Sequence, residues 1–174
     1  MQRVLVIGSG GAGKSTFASR LGESTSLPVI HLDALYWRSD WNATPSDDWA
    51  RVVNGLLERD AWVMDGNYGG TLDARIAACD TVIFLDLPRR VGLWRVVRRW
   101  LRYRGRARPD MAEGCDERLT LEFVRWIWQY PTTRRPGILA KLAAMDRGQQ
   151  AVVLRSAAEV EAFLVDASGV VPPG

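Results

Sequence analysis

The chain of 174 residues has very little lysine, histidine or cysteine. Lys14 and Lys141 are its two lysines, and His31 is its single histidine. Cys79 and Cys115 do not have the spacing of a metal-binding pair, and two cysteines do not make a disulfide framework. We interpret both as free thiols in a reducing cytoplasm. The pattern shows no metal cluster, no nucleophilic triad and no Cys/His pair.

Long apolar runs are also missing. No stretch is long enough to span a bilayer, and the first residues lack the charged-then-apolar layout of a signal peptide. A hydrophobic fraction of 47% and a charged fraction of 25% are ordinary globular values. The sequence therefore predicts one domain, residues 1–174, with a substantial core, in the cytoplasm and without a membrane partner.

Acidic residues are absent from positions 89–108, although this segment contains nine arginines. So many cations need an anionic partner or full exposure to water. Arginine is also the side chain suited to holding phosphate bidentately. A solvated basic face is the alternative explanation, and it carries more weight for the distal arginines than for Arg95 and Arg99.

A phosphate-binding loop is the clearest motif present. Residues 8–15 match the pattern G-x-x-x-x-G-K-[ST] and follow the apolar run 4–7 directly. Backbone N–H groups of such a loop point at phosphate oxygens, Lys14 would reach the β- and γ-phosphates, and the Ser15 hydroxyl would ligate Mg²⁺. The predicted nucleotide-binding residues of this loop are Gly8, Gly10, Gly11, Ala12, Gly13, Lys14, Ser15 and Thr16.

Apolar runs alternate with helical patterns along the rest of the chain. Strands are predicted near residues 3–7, 28–32, 61–64, 81–85 and 151–154. Such alternation predicts an α/β fold of three layers, with a parallel sheet between helices. A long helix is predicted at 90–103, with an apolar stripe of Leu93, Val97, Trp100 and Leu101. Residues 34–45 are predicted to form a loop.

Three aspartates follow predicted strands, at the sheet edge where ligands bind in folds of this kind. Asp65 and Asp86 are both candidates for a second Mg²⁺ contact, and periodicity does not choose between them. Asp33 suits orienting an acceptor hydroxyl or accepting its proton. The alternative for any single one is a helix cap or a turn.

Two further predictions concern the residues around the crevice. The arginine-lined helix leads into a glycine-containing connection, which favours a lid that closes over a nucleotide. Trp37 and Trp41 lie in the predicted loop, where they would either stack on a planar ring or fill a gap between helix and sheet. His31 lies in a predicted strand, which favours a structural histidine over a catalytic one.

Together these motifs resemble the adenylate-kinase-like P-loop kinases, and among them the bacterial topology modulation (FlaR-related) proteins. The resemblance covers about residues 3–164. It is carried by residues 8–16, 31–33, 36–37, 65–68, 71–72, 75, 84–89, 105–111, 114–115 and 117–118.

The resemblance implies a P-loop NTPase fold whose five strands are ordered 2-3-1-4-5, with a small arginine-rich lid at about 103–116. It implies ATP as phosphoryl donor, with Arg95 against the adenine and Arg99 on phosphate. It also matches Asp65-Gly66 to the pair beside the phosphate loop, which selects Asp65 with Ser15 for Mg²⁺. The implied catalytic residues are Lys14, Asp33, Asp65, Arg99 and Arg118.

The resemblance implies the identity of the phosphoryl acceptor less directly. The region of about 34–75 is expected to bind it through Asp33, Tyr36, Trp37, Asn67 and Arg75. A nucleoside monophosphate is the leading acceptor, although the proline-arginine of adenylate kinases is replaced here by Asn67-Tyr68-Gly69-Gly70, and Arg75 is expected to supply the missing cation. An uncharged hydroxylated metabolite is the alternative acceptor.

A different class of function also stays open. The arginine run fits an NTP-binding regulator that associates with nucleic acid, because clustered cations follow phosphate backbones. The sequence favours the kinase, either as a monomer or as a homodimer.

Overall fold

The computed structural model describes residues 1–105, 111 and 114–168. Its strands are β1 (Arg3–Gly8), β2 (Val29–His31), β3 (Trp37–Arg38), β4 (Asn42–Ala43), β5 (Trp62–Asp65), β6 (Thr81–Leu85) and β7 (Gln150–Leu154). Its helices are α1 (Lys14–Thr25), α2 (Leu32–Tyr36), α3 (Ser46–Leu57), α4 (Leu72–Ala78), α5 (Arg89–Tyr103), α6 (Leu121–Thr133), α7 (Arg135–Ala143) and α8 (Ala157–Ala167). Strands and helices alternate as the sequence predicts.

Five parallel strands form the main sheet in the order β2-β5-β1-β6-β7. The antiparallel pair β3–β4 forms a separate hairpin. Counted along the chain without this hairpin, the order is the expected 2-3-1-4-5. Val6 of β1 lies opposite Asp65 of β5 and Ile83 of β6, so the carboxyl ends of the central strands meet at one edge.

The central strand has no polar face, because both of its faces are covered by helices. Leu5 and Ile7 pack on one side, in a core completed by α3, α4, α6 and α7. Val4 and Val6 pack on the other side, against α1 and α8. Continuous apolar strands of this kind are typical of a parallel sheet between two helical layers. The three-layer α/β fold predicted from the sequence is confirmed.

The predicted loop at 34–45 contains more structure than expected. It includes most of α2, a short 3-10 turn and the hairpin β3–β4. The Tyr36 carbonyl accepts hydrogen bonds from both the backbone N–H and the hydroxyl of Thr44, which closes this segment. Elements of two to five residues are too short to produce a hydrophobic period, so the sequence pattern did not show them.

The predicted apolar stripe of α5 is wrong at Val97 and Leu101, whereas Leu93 and Trp100 are half-buried. Gly92 and Val96 are the buried residues, whereas Val97 is 42% and Leu101 is 64% exposed. A Cβ atom at Gly92 would lie 2.7 Å from the Gly10 carbonyl oxygen, so the helix meets the phosphate-binding loop through a residue without a side chain. This contact places Arg95 beside the loop, where its guanidinium donates to the Ala12 carbonyl oxygen.

α6 begins at Leu121, where the Thr120 hydroxyl accepts a hydrogen bond from the Phe123 N–H and caps the helix. Much of the predicted lid, residues 106–110 and 112–113, lies outside the described residues. Within the described part of the chain, no helix combines the length and the apolar character needed to cross a membrane.

Candidate active site

A cleft of about 1260 Å³ opens at the carboxyl ends of β1, β2 and β5. The phosphate-binding loop and α1 form its floor, and α5 and the start of α6 form one wall. The hairpin, α2 and the loop after β5 form the opposite wall. Parallel α/β sheets bind ligands at this edge, and the predicted site residues converge on it.

The glycine loop has the shape of an anion site. Gly11 and Gly13 have φ of 73° and 93°, in the left-handed region that glycine adopts without strain. α1 begins directly after Gly13, with no side-chain cap and no acidic residue in its first turn. Its first N–H groups and the positive end of its dipole therefore face the cleft, where they would hold phosphate oxygens.

Two cations lie over this loop. The Lys14 ammonium donates to the carbonyl oxygens of Gly8 and Ser9, both at 3.1 Å. The Arg95 guanidinium donates to the Ala12 carbonyl oxygen at 2.9 Å. Of the eight loop residues predicted to bind nucleotide, Gly10, Gly11, Gly13, Lys14, Ser15 and Thr16 line the cleft. Gly8 and the buried Ala12 shape it from below.

Two more arginines reach the cleft from different elements. The Arg99 Nε donates to the buried Glu117 carboxylate at 2.8 Å, which links α5 to the segment before α6. The Arg118 guanidinium lies over the Trp41 ring at 4.7 Å, which links that same segment to the hairpin. The described residues that line the cleft include six cations and three carboxylates. The cations are Lys14, Arg95, Arg98, Arg99, Arg102 and Arg118, and the carboxylates are Asp33, Glu117 and Glu122.

Asp65 lies below the cleft surface, at the end of the strand beside β1. It is 3% exposed, and its Oδ1 is 2.9 Å from Nδ1 of His31. The other ring nitrogen of His31 is 3.4 Å from the Ser19 hydroxyl. His31 itself lines the cleft, so it is part of the site as well as of the strand.

Ser15 and Asp65 fit the requirements of Mg²⁺ in such a site. Mg²⁺ keeps several waters and takes few protein ligands, usually with oxygen from the substrate phosphates. Ser15 offers a hydroxyl on the cleft surface, and Asp65 offers a carboxylate in the adjacent strand end. Among residues 1–105, 111 and 114–168, no group of three or more His, Cys, Asp or Glu side chains is arranged to hold a metal by protein ligands alone.

Asp86, the other magnesium candidate, is engaged elsewhere. Both of its carboxylate oxygens accept hydrogen bonds from Arg135 Nε, at 2.8 and 2.9 Å. Arg155 adds a longer ion pair at 4.0 Å. Asp86 therefore holds α7 and the segment after β7 against β6, and it does not line the cleft.

The wall opposite α5 combines one carboxylate with aromatic rings. Asp33 accepts a hydrogen bond from the Tyr68 hydroxyl, and both residues line the cleft. Burial, together with the Asp33 charge, raises the pKa of the Tyr68 hydroxyl, so the proton stays on the tyrosine. The Trp37 and Trp41 rings meet edge to face at 5.4 Å and also line the cleft.

Two predicted acceptor residues are not on the cleft surface. The Arg75 side chain is fully buried and donates to backbone carbonyls of Gly66, Asn67, Tyr68 and Thr71. Burial lowers its pKa to about 10. Tyr36 packs among other rings, with its centroid 4.9 to 5.0 Å from those of Trp37 and Trp49. Both positions shape the wall from behind.

Asn67 connects the wall opposite α5 to the phosphate-binding loop. Its side-chain oxygen accepts from the Gly8 N–H at 3.1 Å, and its side-chain nitrogen donates to the Gly8 carbonyl at 2.7 Å. The Asn67 side chain thus makes the two backbone hydrogen bonds to Gly8 that a neighbouring strand would otherwise make. Asn67 also lines the cleft, as expected for a site residue.

Several residues in or behind the cleft were not predicted from the sequence. Gly92 allows α5 to approach the loop, Glu117 holds Arg99, and Phe123 and Trp126 stack on the α6 side at 6.0 Å. A Cβ atom at Gly10 would lie 2.8 Å from the Phe123 ring. Phe123 and Trp126 lie three residues apart, a helical spacing that does not by itself show whether the pair faces a core or a cleft.

Comparisons with known proteins show the fold. No protein-family model matches the chain, and no curated protein matches it significantly. Shikimate kinase from Acinetobacter baumannii, solved with shikimate, aligns at 17% identity with a TM-score of 0.56, over 95% of this chain and 92% of that one. A gluconokinase from Sinorhizobium meliloti aligns at 18% identity with a TM-score of 0.54, over 97% and 91%.

These alignments show that the chain shares the fold of these two kinases. This supports the coarse resemblance found in the sequence. The finer resemblance, to the topology modulation proteins, is not supported by these matches and stays a prediction.

Proposed function

We propose that the protein is a phosphotransferase that moves the γ-phosphoryl group of ATP to a hydroxyl of a small molecule. The observation that carries the proposal is one cleft with two different walls. A glycine loop and an uncapped helix start lie beside Lys14, Arg95 and Arg99, and a carboxylate, Asp33, lies on the wall opposite α5. Phosphoryl transfer needs cationic stabilisation on one side and a positioned acceptor on the other.

Each side chain has a role in this proposal. Lys14 and Arg99 bind the phosphates and stabilise negative charge on the transferred group, Arg95 binds the nucleotide from α5, and Arg118 approaches the transferred group from the side of the hairpin. Ser15 and Asp65 would hold Mg²⁺, directly or through water, and the ion would neutralise phosphate charge when bound. The acceptor oxygen forms a bond to the γ-phosphorus while the bond from that phosphorus to the β–γ bridging oxygen breaks. Asp33 takes the proton of the acceptor hydroxyl.

The acceptor is a small molecule. By their names, the two solved structures of the same fold act on shikimate and gluconate, which are hydroxylated acids without a base. A nucleoside monophosphate, the acceptor favoured by the sequence, needs a cation for its phosphate, and Arg118 is the described residue of the cleft in the best position to supply one. We further propose one kinase domain over 1–174, with an acceptor region at about 34–75 and a lid at about 103–116.

The nucleic-acid alternative receives less support. Arg95 and Arg99, from the middle of the arginine run, contact the Ala12 carbonyl and Glu117 inside the cleft. Arginines in these positions serve a bound phosphate group better than an extended backbone outside the cleft.

Calorimetry and a coupled assay test the proposal. Purified protein is titrated with ATP in saturating magnesium, and ADP release is then followed with a panel of small hydroxylated acceptors. We expect heat from ATP binding and acceptor-dependent ADP release. Absence of heat from both ATP and GTP, with no change in melting temperature, would contradict it.

A further inference from the structure

The cations of the cleft are unevenly distributed between its two walls. Lys14 and the four arginines of α5 that line the cleft lie on the side of the phosphate-binding loop. Among the described residues that line the cleft, the arginine or lysine next to the hairpin, α2 and the loop after β5 is Arg118, which lies over the Trp41 ring. His31 on this side is held by the Asp65 carboxylate.

Arg75 does not add a cation to the acceptor wall. Its guanidinium is fully buried and bonded to the carbonyl oxygens of residues 66, 67, 68 and 71. Moving it into the cleft would leave these carbonyls without their donor, and buried polar groups without partners are costly. The sequence expectation that Arg75 binds an acceptor phosphate does not agree with this position.

Asp33 makes the acceptor wall unfavourable for a phosphate group. Its carboxylate faces the cleft, and its described hydrogen-bond donor is the neutral Tyr68 hydroxyl rather than a cation. A phosphate dianion beside this carboxylate would meet like charge, whereas a hydroxyl donates a hydrogen bond to it. The wall therefore recognises hydroxyl groups better than phosphate groups.

The two tryptophans add aromatic ring surface to the cleft that Asp33 also lines. The Trp41 indole N–H donates to the Asp116 carbonyl at 3.0 Å, so the residue presents its ring rather than its donor to the cleft. Trp37 lies edge to face against it. Such rings pack against the apolar face of a saturated sugar-like ring or against a planar base.

We propose that the acceptor is a polyhydroxylated small molecule that carries no phosphate group, bound with a hydroxyl on Asp33 and an apolar face on Trp37 and Trp41. The inference rests on the proposed kinase activity and names its substrate class. It selects the non-nucleotide acceptor over the nucleoside monophosphate. A single carboxylate on the acceptor would pair with Arg118, so sugar acids belong to the class.

Matched acceptor pairs test the inference. ADP release from ATP and magnesium is measured with adenosine and AMP, uridine and UMP, glucose and glucose 6-phosphate, and myo-inositol and inositol 1-phosphate, with gluconate and shikimate as acids. We expect at least one phosphate-free compound to raise ADP release roughly tenfold or more above every phosphorylated member. Phosphorus NMR should then show one new phosphomonoester for each ADP.

Asp33→Asn and Trp37→Ala test whether the wall that contains these residues binds the acceptor. Both variants should lose acceptor-dependent ADP release while ATP binding, measured by calorimetry, stays within about twofold of wild type. Unchanged turnover in both variants would overturn the inference, because another part of the cleft would then bind the acceptor.

The outcomes separate the two proposals. If ATP binds and a nucleoside monophosphate is the best acceptor, the substrate class is wrong and the kinase proposal stands. If ATP binds and no phosphate-free compound stimulates ADP release, the substrate class is also wrong. If neither ATP nor GTP binds, the kinase proposal fails and the inference fails with it.

Discussion

The two walls of the cleft are built by different means. The nucleotide side consists of backbone N–H groups, a helix start and long cationic side chains, within 8–16 and α5. The acceptor side consists of aromatic rings, the Asp33 carboxylate, Arg118 and a fully buried arginine, drawn from residues 31–41, 65–75 and 118. The first arrangement suits any nucleoside triphosphate, whereas the second depends on the shape and charge of one particular acceptor.

Arg95 and Arg75 show the same contrast within one residue type. Arg95 lies on the cleft surface over the loop, where a phosphate group would compete for its donors. Arg75 is fully buried, and its donors are used by the backbone of the loop after β5. Because this loop presents Asn67 to Gly8 and Tyr68 to Asp33, the buried arginine supports both walls.

The largest expected effect is on the nucleotide side. Lys14→Ala should reduce turnover by about 100- to 1000-fold or more, because the ammonium would stabilise charge on the transferred group. Steady-state ADP release measures the effect, and circular dichroism should show an intact fold. Lys141→Ala is the matched control, since the other lysine pairs with Asp73 at the surface. Equal rates in both variants would contradict the assignment.

On the acceptor side, Asp33→Asn should lower kcat by about 100-fold, because an amide does not accept the proton of the acceptor hydroxyl. KM for ATP should change little, since Asp33 lies on the wall opposite α5. Asp73→Asn is the control for loss of a carboxylate at an exposed site. A large rise in KM for ATP with unchanged kcat would contradict this prediction, because Asp33 would then contribute to ATP binding rather than to proton transfer from the acceptor.

A third prediction concerns the element that supports both walls. Arg75→Met should lower the free energy of unfolding by about 3 kcal/mol, because several carbonyls of the loop after β5 lose a buried donor. Urea denaturation followed by circular dichroism measures this change. Arg59→Met, at an exposed position, should change stability by less than about 0.5 kcal/mol. Similar free energies of unfolding for Arg75→Met and Arg59→Met would show that the loop after β5 does not depend on Arg75.

The smallest effect should appear where the hairpin meets the segment before α6. Cys115 is buried, and its thiol donates to the Arg38 carbonyl at 3.2 Å. Trp41→Ala removes the ring beneath Arg118 and should raise the reaction rate of Cys115 with a thiol reagent several-fold.

Cys79 is the internal control for that experiment. Burial raises its pKa to about 12, so its thiolate fraction near pH 8 is small and should stay small in the variant. Equal acceleration of both thiols would indicate general unfolding rather than opening of this contact.

Several features could be read from the chain directly, because each depends on neighbours in sequence. The phosphate-binding loop is contiguous, and its conformation follows from glycines at 11 and 13. The strands at 3–8 and 81–85 are apolar runs, so their burial between helices was predictable. Asp65 was expected directly after a strand, and in the structure it is the last residue of β5.

Other features depend on residues far apart in sequence. The inward face of α5 was predicted wrongly, because it is decided by contact between Gly92 and Gly10 rather than by apolar spacing. Asp65 and Asp86 both follow an apolar strand, yet His31 contacts Asp65 whereas Arg135 binds Asp86. Nothing in the sequence near Glu117 shows that it holds Arg99.

By itself, the sequence determined the α/β alternation, the phosphate-binding loop and the location of the cations, since local conformation and composition decide these. Tertiary structure alone decided which of those cations face the cleft and which, like Arg75, are enclosed by backbone carbonyls. The physical reason is that a buried charge is stable only where several distant groups solvate it together, and those groups meet only in the folded chain.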